Sequence, residues 1–451
     1  LIGIILGSLS AGYYWGGKLA DKNARPEELA RIILVAAVFV VFTALFQEPV
    51  LSTFNKLFNH LYATTLVATV ILFAPASVAL GMISPYAAKL KMHDTEHAGT
   101  TIGTLYALST IGSIVGTFLA GFFLVAFFGS TVILYVLAIV LVLTTLIIHR
   151  NKFGIRMVLL VLIAVIGSLS VFGGALAKSV GVIDIDTNYQ RVQIYPITYK
   201  HRPVRILRTE IFGVQSGMYL DGDTSELVFD YLKMYNLVEH FQPKLGRALL
   251  IGGAAYSYPK AYLKRFPDAQ LDVVELDPGL TELARKYFDL VDDPRLHIFH
   301  EDGRIFLNDA AVATYDAVLI DAFSSLTIPY QLTTREAVQR VSDSLQDEGV
   351  VLVNIVGSFQ GVGSDFFRAE YATYKKVFPQ VYAFWVKSDD ETQKQNIMLV
   401  ATKSKEPLTL TSDHPEIAQY LKQLWQKEIK TDLPVLTDEH APVEWYMMGV
   451  Y

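Results

Sequence analysis

The sequence contains no cysteine and few charged residues. Without cysteine, the 451 residues offer no disulfide, no thiolate metal site and no cysteine nucleophile. Charged residues make up 18% of the chain and hydrophobic residues 52%, and the mean hydropathy is +0.35. This composition indicates a membrane protein or a hybrid of membrane and soluble parts. A net charge of −6 and the lack of a basic stripe give no support for nucleic acid as a partner.

The apolar residues are concentrated in positions 1–177. The chain begins inside an apolar run without a basic leader, so we expect a preceding segment rather than a signal peptide. A multi-pass α-helical membrane bundle is therefore predicted for 1–177, with the lipid bilayer as its partner. Runs of about 20 apolar residues between charges predict spans near 1–15, 29–47, 63–88, 102–128, 131–148 and 157–177.

Two features bear on the role of this bundle. Gly112 and Gly116, four residues apart, predict a place where another helix approaches closely. No pair of intramembrane charges marks a transport route, so a bundle that anchors the chain or joins copies of it is favoured over a transporter. We expect a homo-oligomer in the cytoplasmic membrane of the cell.

Positive charge indicates the orientation of the spans. Alternation of the spans places three linkers on one face, which the positive-inside rule makes cytoplasmic. If 157–177 crosses fully, the soluble part after Lys178 lies outside the cytoplasm. The charges of the three linkers are Lys18, Lys22, Arg25 and Arg31, then Lys89 and Lys91, then Arg150, Lys152 and Arg156.

Residues 178–451 have the composition of a globular region large enough to bury its own core. Strand and helix patterns alternate from Arg247 to about Thr402, which predicts a parallel sheet covered on both faces. The last two strands predict an antiparallel edge, as in Rossmann-type α/β folds of the class I methyltransferase kind. We expect a small β-subdomain at 178–235 and a second domain, built on this sheet, at 236–451.

The first strand of this pattern runs into the turn IGGAAYSYP at 251–259. Gly252 and Gly253 let the backbone approach a ligand, and the following helix N-terminus favours an anion. Alone, the turn predicts no more than a tight connection. Glu275 ends the second strand, about twenty residues on, where an acidic side chain binds the ribose hydroxyls of a nucleoside.

Two more strands end in ligand-type residues. Asp302 is placed to accept from an adenine amino group, with Gly303 leaving room for the ring, and Asp321 ends the fourth strand. Because ligands bind at the carboxyl ends of such strands, these residues together predict an adenosine site. We therefore expect 236–451 to be a nucleoside-binding catalytic domain. His300 and His440 lack partners at a metal-binding spacing, so no metal is expected.

The motifs together resemble the spermidine synthase (polyamine aminopropyltransferase) family, in its membrane-fused bacterial branch. The resemblance implies a bundle similar to a major-facilitator half, followed by the synthase domain. It also implies a transferase of polyamine biosynthesis with no prosthetic group, whose substrate is S-adenosylmethionine or its decarboxylated form. The stretches that carry the resemblance are GYYWGGKLADK, LYALSTIGSIVGTFLAGF, NYQRVQIY, VVELDP, EDGR, LIDAFSSLTIP and LTDEHAPVEW.

The resemblance also implies roles for individual residues. Gln190 and Gln215 line the nucleoside and amine pocket, and Glu275 and Asp302 bind ribose and adenine. Asp321 matches the first acid of the family's DSSDP, the base that deprotonates the attacking amine. Tyr231 corresponds to a tyrosine that assists this base.

The sequence departs from the family pattern where the amine binds. Ala255 stands at the acid of the family's GGGDG, and Ser324 stands at the second acid of DSSDP. Asp321 is left with Tyr256, Tyr258 and Ser324, a set that compensates a cationic amine poorly. The nearby acids Asp223, Glu226 and Asp230 either substitute for the lost carboxylates or are surface charges, which is the interpretation we favour.

Three functions therefore stay open. The resemblance favours an aminopropyltransferase, whereas the lost acids favour a lyase or cyclase of S-adenosylmethionine or a transferase to a less charged acceptor. The third is a non-enzymatic nucleoside-binding membrane protein. Because S-adenosylmethionine is a cytoplasmic metabolite, the substrate argues for a cytoplasmic domain, against the charge pattern. The loop 436–445 either closes over the pocket or packs on the sheet.

Overall fold

The computed structural model describes residues 1–58, 61–92, 98–149, 153–179, 181–209, 214–322, 328–406 and 409–450. The chain divides into two compact units, Leu1–Ala177 and Lys178–Tyr451. Ser324 lies outside the described residues, so its predicted role in substrate binding stays a prediction.

The first unit is helical, because its long apolar runs carry few helix-breaking residues. A π-helical turn, Ala120–Leu124, interrupts the run predicted as one span near 102–128. Its α-helices are α1 Ile2–Asn23, α2 Pro26–Phe58, α3 Leu61–Lys91, α4 Ala98–Leu119, α5 Val125–Phe127, α6 Ser130–Ile148 and α7 Phe153–Ser179.

Within the described residues, four segments are long and apolar enough to cross a bilayer. A further apolar helical stretch, Gly154–Leu169, is shorter than these. The predicted membrane bundle is thus supported by length and composition in Pro26–Phe58, Tyr62–Lys91, Gly99–Leu124 and Ser130–Ile148.

Close helix approach occurs at other glycines than those singled out from the sequence. A Cβ at Gly12 would lie 2.3 Å from the Val78 carbonyl oxygen, and one at Gly81 would lie 2.5 Å from the Leu9 carbonyl oxygen. The backbones of α1 and α3 therefore touch there, as small residues allow. In the described part of the chain, no atom lies within 4 Å of a Cβ built at Gly112 or Gly116.

The second unit opens with a four-stranded antiparallel sheet in the order β1-β2-β3-β4. Inward residues alternate with outward ones along β2, so that Val192 and Ile194 are fully buried. They pack with Leu280 of a following helix and with Phe288, which comes directly after that helix. The strands are β1 Ile183–Asp186, β2 Arg191–Tyr199, β3 Arg202–Arg208 and β4 Ser216–Tyr219.

Alternating helices and strands make up the rest of this unit. Their bounds are α8 Asp230–Met234, α9 Val238–Phe241, β5 Arg247–Ile251, α10 Ser257–Arg265, β6 Gln270–Val274, α11 Pro278–Tyr287, β7 Leu296–Phe299, α12 Gly303–Asp309, β8 Tyr315–Ile320, α13 Arg335–Ser344, β9 Leu345–Gly357, α14 Asp365–Val377, β10 Gln380–Trp385, β11 Gln395–Thr402, α15 Pro415–Leu421 and α16 Val443–Met447.

A seven-stranded sheet in the order β10-β11-β9-β8-β5-β6-β7 forms the centre of the unit. The five strands from β9 to β7 are parallel, and β11 and β10 add an antiparallel edge. Leu249 and Ile251 of β5 face one hydrophobic core, and Ala248 and Leu250 face the other. The predicted Rossmann-type fold with a mixed sheet buried on both faces is confirmed.

Side-chain caps fix where the helices after the strands begin. Asp277 accepts from the Gly279 N–H at 2.9 Å, and Thr334 accepts from the Ala337 N–H at 3.3 Å. Asp302 accepts from the N–H groups of Arg304 and Ile305 at the start of α12. Such caps satisfy N–H groups that have no partner within the helix, and they place acidic side chains at the carboxyl ends of the strands.

Candidate functional site

The turn after β5 is held against the ends of two neighbouring strands. The Gly252 N–H donates to the Val274 carbonyl oxygen, and the Asp321 N–H donates to the Ile251 carbonyl oxygen, both at 2.9 Å. Gly252 has φ +99°, and a Cβ there would lie 2.5 Å from the Asp321 carbonyl oxygen. Only glycine fits this position without strain, so the turn and Asp321 are fixed side by side.

The same turn contains two non-glycine residues in the left-handed region, Ala254 at φ 46° and Tyr256 at φ 55°. Each such residue costs roughly 1–2 kcal/mol of backbone strain. The strain is held by the Tyr256 side chain, whose hydroxyl bonds to Thr281 Oγ1 at 2.8 Å. Tyr256 is 0% exposed. Tyr256 therefore packs under the turn and supports it. The sequence predicted that Tyr256 lines an open pocket together with Asp321, and the structure does not show this.

Glu275 bonds directly to the glycine turn. Its Oε2 accepts from the N–H groups of Gly253 and Ala254, and its Oε1 accepts from the Asp277 N–H, all at 2.9 Å. Burial raises the pKa of this carboxyl, and the three backbone donors oppose that shift. The predicted ribose ligand thus lies beside Gly252 and Gly253, with most of its acceptor capacity in use.

Asp302 lies at the end of the same sheet edge but in a separate hydrogen-bond network. Beyond capping α12, its Oδ2 accepts from Gln331 Nε2 at 3.2 Å. A Cβ on Gly303 would lie 2.7 Å from Ile251 Cγ2. Gly303 therefore allows α12 to pack on β5, and the predicted space for an adenine ring is not created by Gly303 alone.

Asp321 is half-buried at the end of β8 and faces two tyrosines. Burial raises the pKa of its carboxyl to about 6, although the Asn354 amide, which donates to Oδ1 at 3.0 Å, lowers it. Burial, and then the charge of Asp321, raise the pKa values of Tyr231 and Tyr235. Tyr235 donates to the Ile320 carbonyl oxygen at 2.6 Å, and Tyr231 donates to the Gln215 carbonyl oxygen at 2.7 Å.

Gln215 and Gln190 each contact a nearby turn of the chain. Gln215 Oε1 accepts from the Thr209 N–H at 2.9 Å, while its carbonyl oxygen holds Tyr231. The carbonyl oxygen of Gln190 accepts from the backbone N–H of Thr187 at 2.8 Å, and the Thr187 hydroxyl donates to Asp277 at 2.6 Å. Gln215 is thereby placed next to Tyr231, and the turn of Gln190 is placed next to the loop that follows Glu275.

The position that the family fills with an acid is apolar here. Ala255 is 0% exposed and packs with Ile194, Leu207 and Met218 of the small sheet. Its N–H points to Ser216 Oγ at 3.4 Å. No charge is present at this position to bind an ammonium group.

The three acids considered as substitutes are each paired with a cation. Each of these pairs has at least one partner more than 40% exposed, so they act as surface charges, the interpretation favoured from the sequence. The pairs are Asp223 with Lys264, Glu226 with Arg202, and Asp230 with Lys200 and Lys233.

Two asparagines complete the surroundings of Asp321 and were missed in the sequence. Asn354 is 4% exposed on β9, and its Oδ1 accepts from Asn396 Nδ2 at 2.9 Å. The available signal was Asn354 itself, since an amide inside the apolar run GVVLVNIVG needs a hydrogen-bonding partner.

The carboxyl-terminal segment is tied to the helix that Asp302 caps. Arg304 donates to both carboxylate oxygens of Asp438, at 2.9 and 2.6 Å, and Thr334 donates to the same carboxylate at 2.6 Å. The segment therefore packs on α12 and α13 at the edge of the site. Within the described part of the chain, no group of three His, Asp or Glu side chains is placed to hold a metal.

Comparisons with known proteins agree with this arrangement. Residues 232–411 match the family described as "Spermine/spermidine synthase domain". A polyamine aminopropyltransferase of Vibrio vulnificus is 29% identical over 217 residues, which are 47% of this chain and 71% of that protein. A probable polyamine aminopropyl transferase of Bifidobacterium longum is 26% identical over 260 residues, 53% of this chain and 57% of that protein. The chain thus spans little more than half of this second relative.

A third relative matches more of the chain. Polyamine aminopropyltransferase 1 of Streptomyces coelicolor is 25% identical over 362 residues, which are 75% of this chain and 66% of that protein. This is more than the second unit alone provides, so the match reaches into the helical unit. A solved structure of a probable spermidine synthase from Corynebacterium glutamicum, 20% identical, covers 55% of this chain and 88% of its own, with a TM-score of 0.46.

The resemblance drawn from the motifs is confirmed by the family match and by the match to the Vibrio relative. The domain match begins at Leu232, inside α8, and ends beyond β11, so it includes the glycine turn, Glu275, Asp302 and Asp321. Residues 232–411 are therefore similar to a spermine/spermidine synthase domain, and the matches to polyamine aminopropyltransferases support a transferase enzyme.

Proposed function

We propose that the second unit transfers the aminopropyl group of decarboxylated S-adenosylmethionine to an amine and releases methylthioadenosine, with Asp321 as the base. The observation that carries this proposal is the half-buried carboxyl of Asp321 beside the glycine turn, with a pKa raised to about 6. A base with that pKa is ionised at neutral pH and still binds a proton well, as general base catalysis requires.

The reaction balances with this single base. The amine lone pair attacks the carbon next to the sulfonium, and the carbon–sulfur bond breaks with its electron pair passing to sulfur. Sulfur becomes a neutral thioether, and the positive charge passes to the new secondary amine. Asp321 removes a proton from the ammonium form of the acceptor before the attack, which frees this lone pair. The Tyr231 and Tyr235 phenols, whose pKa values are raised, stay protonated beside it.

Glu275 is proposed to bind ribose, with a constraint set by its contacts. A carboxylate offers about four acceptor positions, and Glu275 uses three of them on backbone N–H groups. It can accept one ribose hydroxyl as it stands. Accepting from both hydroxyls requires that it release one N–H of the turn, so nucleoside binding and the conformation of Gly253 and Ala254 are coupled.

Asp302, Gln190 and Gln215 are proposed to complete the pocket. Asp302 has one acceptor position left for an adenine amino group after its contacts with α12 and Gln331. Gln215 is proposed to line the amine side, because its carbonyl oxygen holds Tyr231 next to Asp321. Gln190 is proposed to line the nucleoside side, because its turn bonds to Asp277 through Thr187.

A specific observation favours an acceptor with a single positive charge over a diamine. Ala255 is buried among apolar side chains, and Asp223, Glu226 and Asp230 are each paired with a lysine or arginine. A second ammonium group would lie in the site without a compensating carboxylate from these residues, which is costly. The same observation favours, as a second candidate, cleavage or cyclisation of the sulfonium nucleoside without an amine.

We also propose that the first unit anchors the enzyme in the cell membrane. Four of its described segments could cross a bilayer, and the match to the Streptomyces relative reaches into this unit. We expect the soluble unit to face the cytoplasm, where sulfonium nucleosides are made, and the protein to be a homo-oligomer.

Turnover by the full chain in detergent tests the proposed function. The protein is incubated with decarboxylated S-adenosylmethionine and with putrescine, butylamine or no amine, and methylthioadenosine is quantified. We expect release that depends on the amine, with butylamine at least as good an acceptor as putrescine. Asp321→Asn should lower kcat by about 100-fold or more, whereas Asp309→Asn, an exposed acid on α12, should not.

The other outcomes each exclude a part of this proposal. Release that is the same without amine identifies a cleaving enzyme and rules out transfer. A strong preference for putrescine contradicts the singly charged acceptor. Unchanged kcat in Asp321→Asn removes Asp321 as the base.

A further inference from the structure

Three polar side chains lie in a row on one face of the central sheet. Ile320 of β8 pairs with Val353 of β9, so the next residues, Asp321 and Asn354, stand side by side. Asn354 in turn pairs with Met398 of β11. Asn396 lies two residues from Met398 and on the same face, because successive strand residues alternate between faces.

The hydrogen bonds along this row have a defined direction. Asn396 Nδ2 donates to Asn354 Oδ1 at 2.9 Å, and Asn354 Nδ2 donates to Asp321 Oδ1 at 3.0 Å. An amide carries its acceptor on one side and its donor on the other. By occupying the oxygen of Asn354, Asn396 orients the amide so that its NH₂ group faces the carboxylate.

We propose that Asn354, oriented by Asn396, is a positioning residue for the transfer reaction: it fixes Asp321 Oδ1 so that Oδ2 is the oxygen that accepts the proton of the amine. This inference rests on the proposed function. In the described part of the chain, Oδ1 has the Asn354 contact and Oδ2 has no hydrogen bond.

The chemistry of an amide suits this role. The carboxyl torsion of an aspartate is broad and nearly two-fold, so an unrestrained carboxylate presents either oxygen. A neutral donor stabilises the ionised form against the effect of burial but cannot take up the proton itself. A lysine or histidine at position 354 would pair with Asp321 as a charge and compete with the substrate amine.

Few other groups near Asp321 can titrate. Among the described residues, the titratable side chains on which the charge of Asp321 acts are the phenols of Tyr231 and Tyr235, from α8 and from the turn before α9. The pKa values of both phenols are raised well above their ordinary value, so neither phenol ionises together with Asp321. Burial also raises the pKa values of the Glu275 and Glu370 carboxyls, so the signal of Asp321 is the part of the carboxyl band that Asp321→Asn removes.

Infrared titration of Asp321 in the unliganded full chain tests the inference, with Asp321→Asn as the reference for the difference spectrum. Without the Asn354 donor, the ionised form of Asp321 loses a stabilising hydrogen bond. Asn354→Leu should therefore raise the titration midpoint by about one pH unit, a tenfold change in proton affinity. Asn396→Leu, which leaves Asn354 free to rotate, should move the midpoint in the same direction by less. Thr402→Val, which removes a buried hydroxyl at the other end of β11, should leave it unchanged.

Turnover gives the second readout. A positioning role predicts that the acidic limb of the kcat profile moves to higher pH in both asparagine variants, with nucleoside KM changed less than twofold. If Asn354→Leu does not fold, Asn396→Leu carries the test. An unmoved titration midpoint in a folded variant overturns the inference even if the wild type is an active transferase. If the wild type shows no turnover while the midpoint shifts as expected, the proposed function fails and the asparagine contact to Asp321 stands.

Discussion

A carboxylate that accepts a proton near neutral pH needs a pKa above its ordinary value, and burial provides this for Asp321. The tyrosines around it add apolar surface without a positive charge. Burial also raises the pKa of Glu275, but three backbone N–H donors stabilise its ionised form. Their environments thus separate these two acids, which follow the strands on either side of β5, into a proposed base and a proposed ligand.

A further buried carboxyl lies outside the site and lowers the stability of the fold at neutral pH. Glu370 on α14 is 0% exposed, and within the described part of the chain both its oxygens lack a hydrogen-bonding partner. Burial raises its pKa well above the ordinary value. The folded state therefore keeps the proton, while the unfolded chain releases it above about pH 4.3, so stability falls as pH rises from there towards the folded-state pKa.

Glu370→Gln should remove this loss. We expect the unfolding midpoint of the second unit, measured in the full chain, to rise relative to wild type, with an advantage that grows between pH 5 and pH 8. Each pH unit between the two pKa values is worth about 1.4 kcal/mol. The exposed Glu282→Gln on α11 serves as the control and should show no such growth. A pH-independent difference for Glu370→Gln would mean that the carboxyl is ionised in the fold.

At the scale of elements, the helix that Asp302 caps is linked to the carboxyl-terminal segment. The bidentate contact from Arg304 to Asp438, with Thr334 on the same carboxylate, holds the segment over α12 and α13. Arg304 also lowers the pKa of Asp438. This contact joins the last stretch of the chain to the predicted adenine end of the site.

Asp438→Asn should loosen that link. One charge-assisted contact at a partly exposed position is worth up to about 1 kcal/mol, so nucleoside KM should rise about two- to fivefold with kcat nearly unchanged. Hydrogen exchange at 436–440 should quicken in the same variant. Glu439→Gln, at an exposed neighbouring position, is the matched control. Equal exchange rates in Asp438→Asn and wild type would show that the segment is held by its apolar contacts alone.

Elements were more predictable than contacts. Strand–helix alternation predicted the succession of strands and helices along the chain and the antiparallel edge of the sheet, because apolar periodicity indicates which faces are buried. It could not predict that Tyr256 turns under the glycine loop, since that depends on a left-handed backbone and on Thr281, 25 residues away. The pairing of Asn354 with Asp321 depends on strand register, which no local pattern encodes.

In the whole molecule, a helical unit precedes a unit that matches the spermine/spermidine synthase domain over residues 232–411. The positive linkers predict that a fully crossing segment at 157–177 places the domain outside the cytoplasm. The proposed substrate requires the opposite. The charge pattern thus predicts a domain outside the cytoplasm, and the proposed substrate predicts a domain inside it. An experiment that reports the side of the membrane distinguishes the two.

Protease protection decides the side. We expect trypsin added to intact cells to leave the second unit uncut and to cleave it after permeabilisation, as for a cytoplasmic domain. This result would mean that the segment before Lys178 does not cross completely. Cleavage in intact cells would place the domain outside, where decarboxylated S-adenosylmethionine would have to be exported to reach it.

The most direct measurement of the central claim is the mass of the acceptor after reaction. Full-length protein is incubated with decarboxylated S-adenosylmethionine and butylamine, and both products are quantified by mass spectrometry. The account predicts one aminopropylated amine for each methylthioadenosine released, and neither product above background with Asp321→Asn. Methylthioadenosine without the aminopropylated amine, or equal yields from Asp321→Asn and wild type, would contradict it.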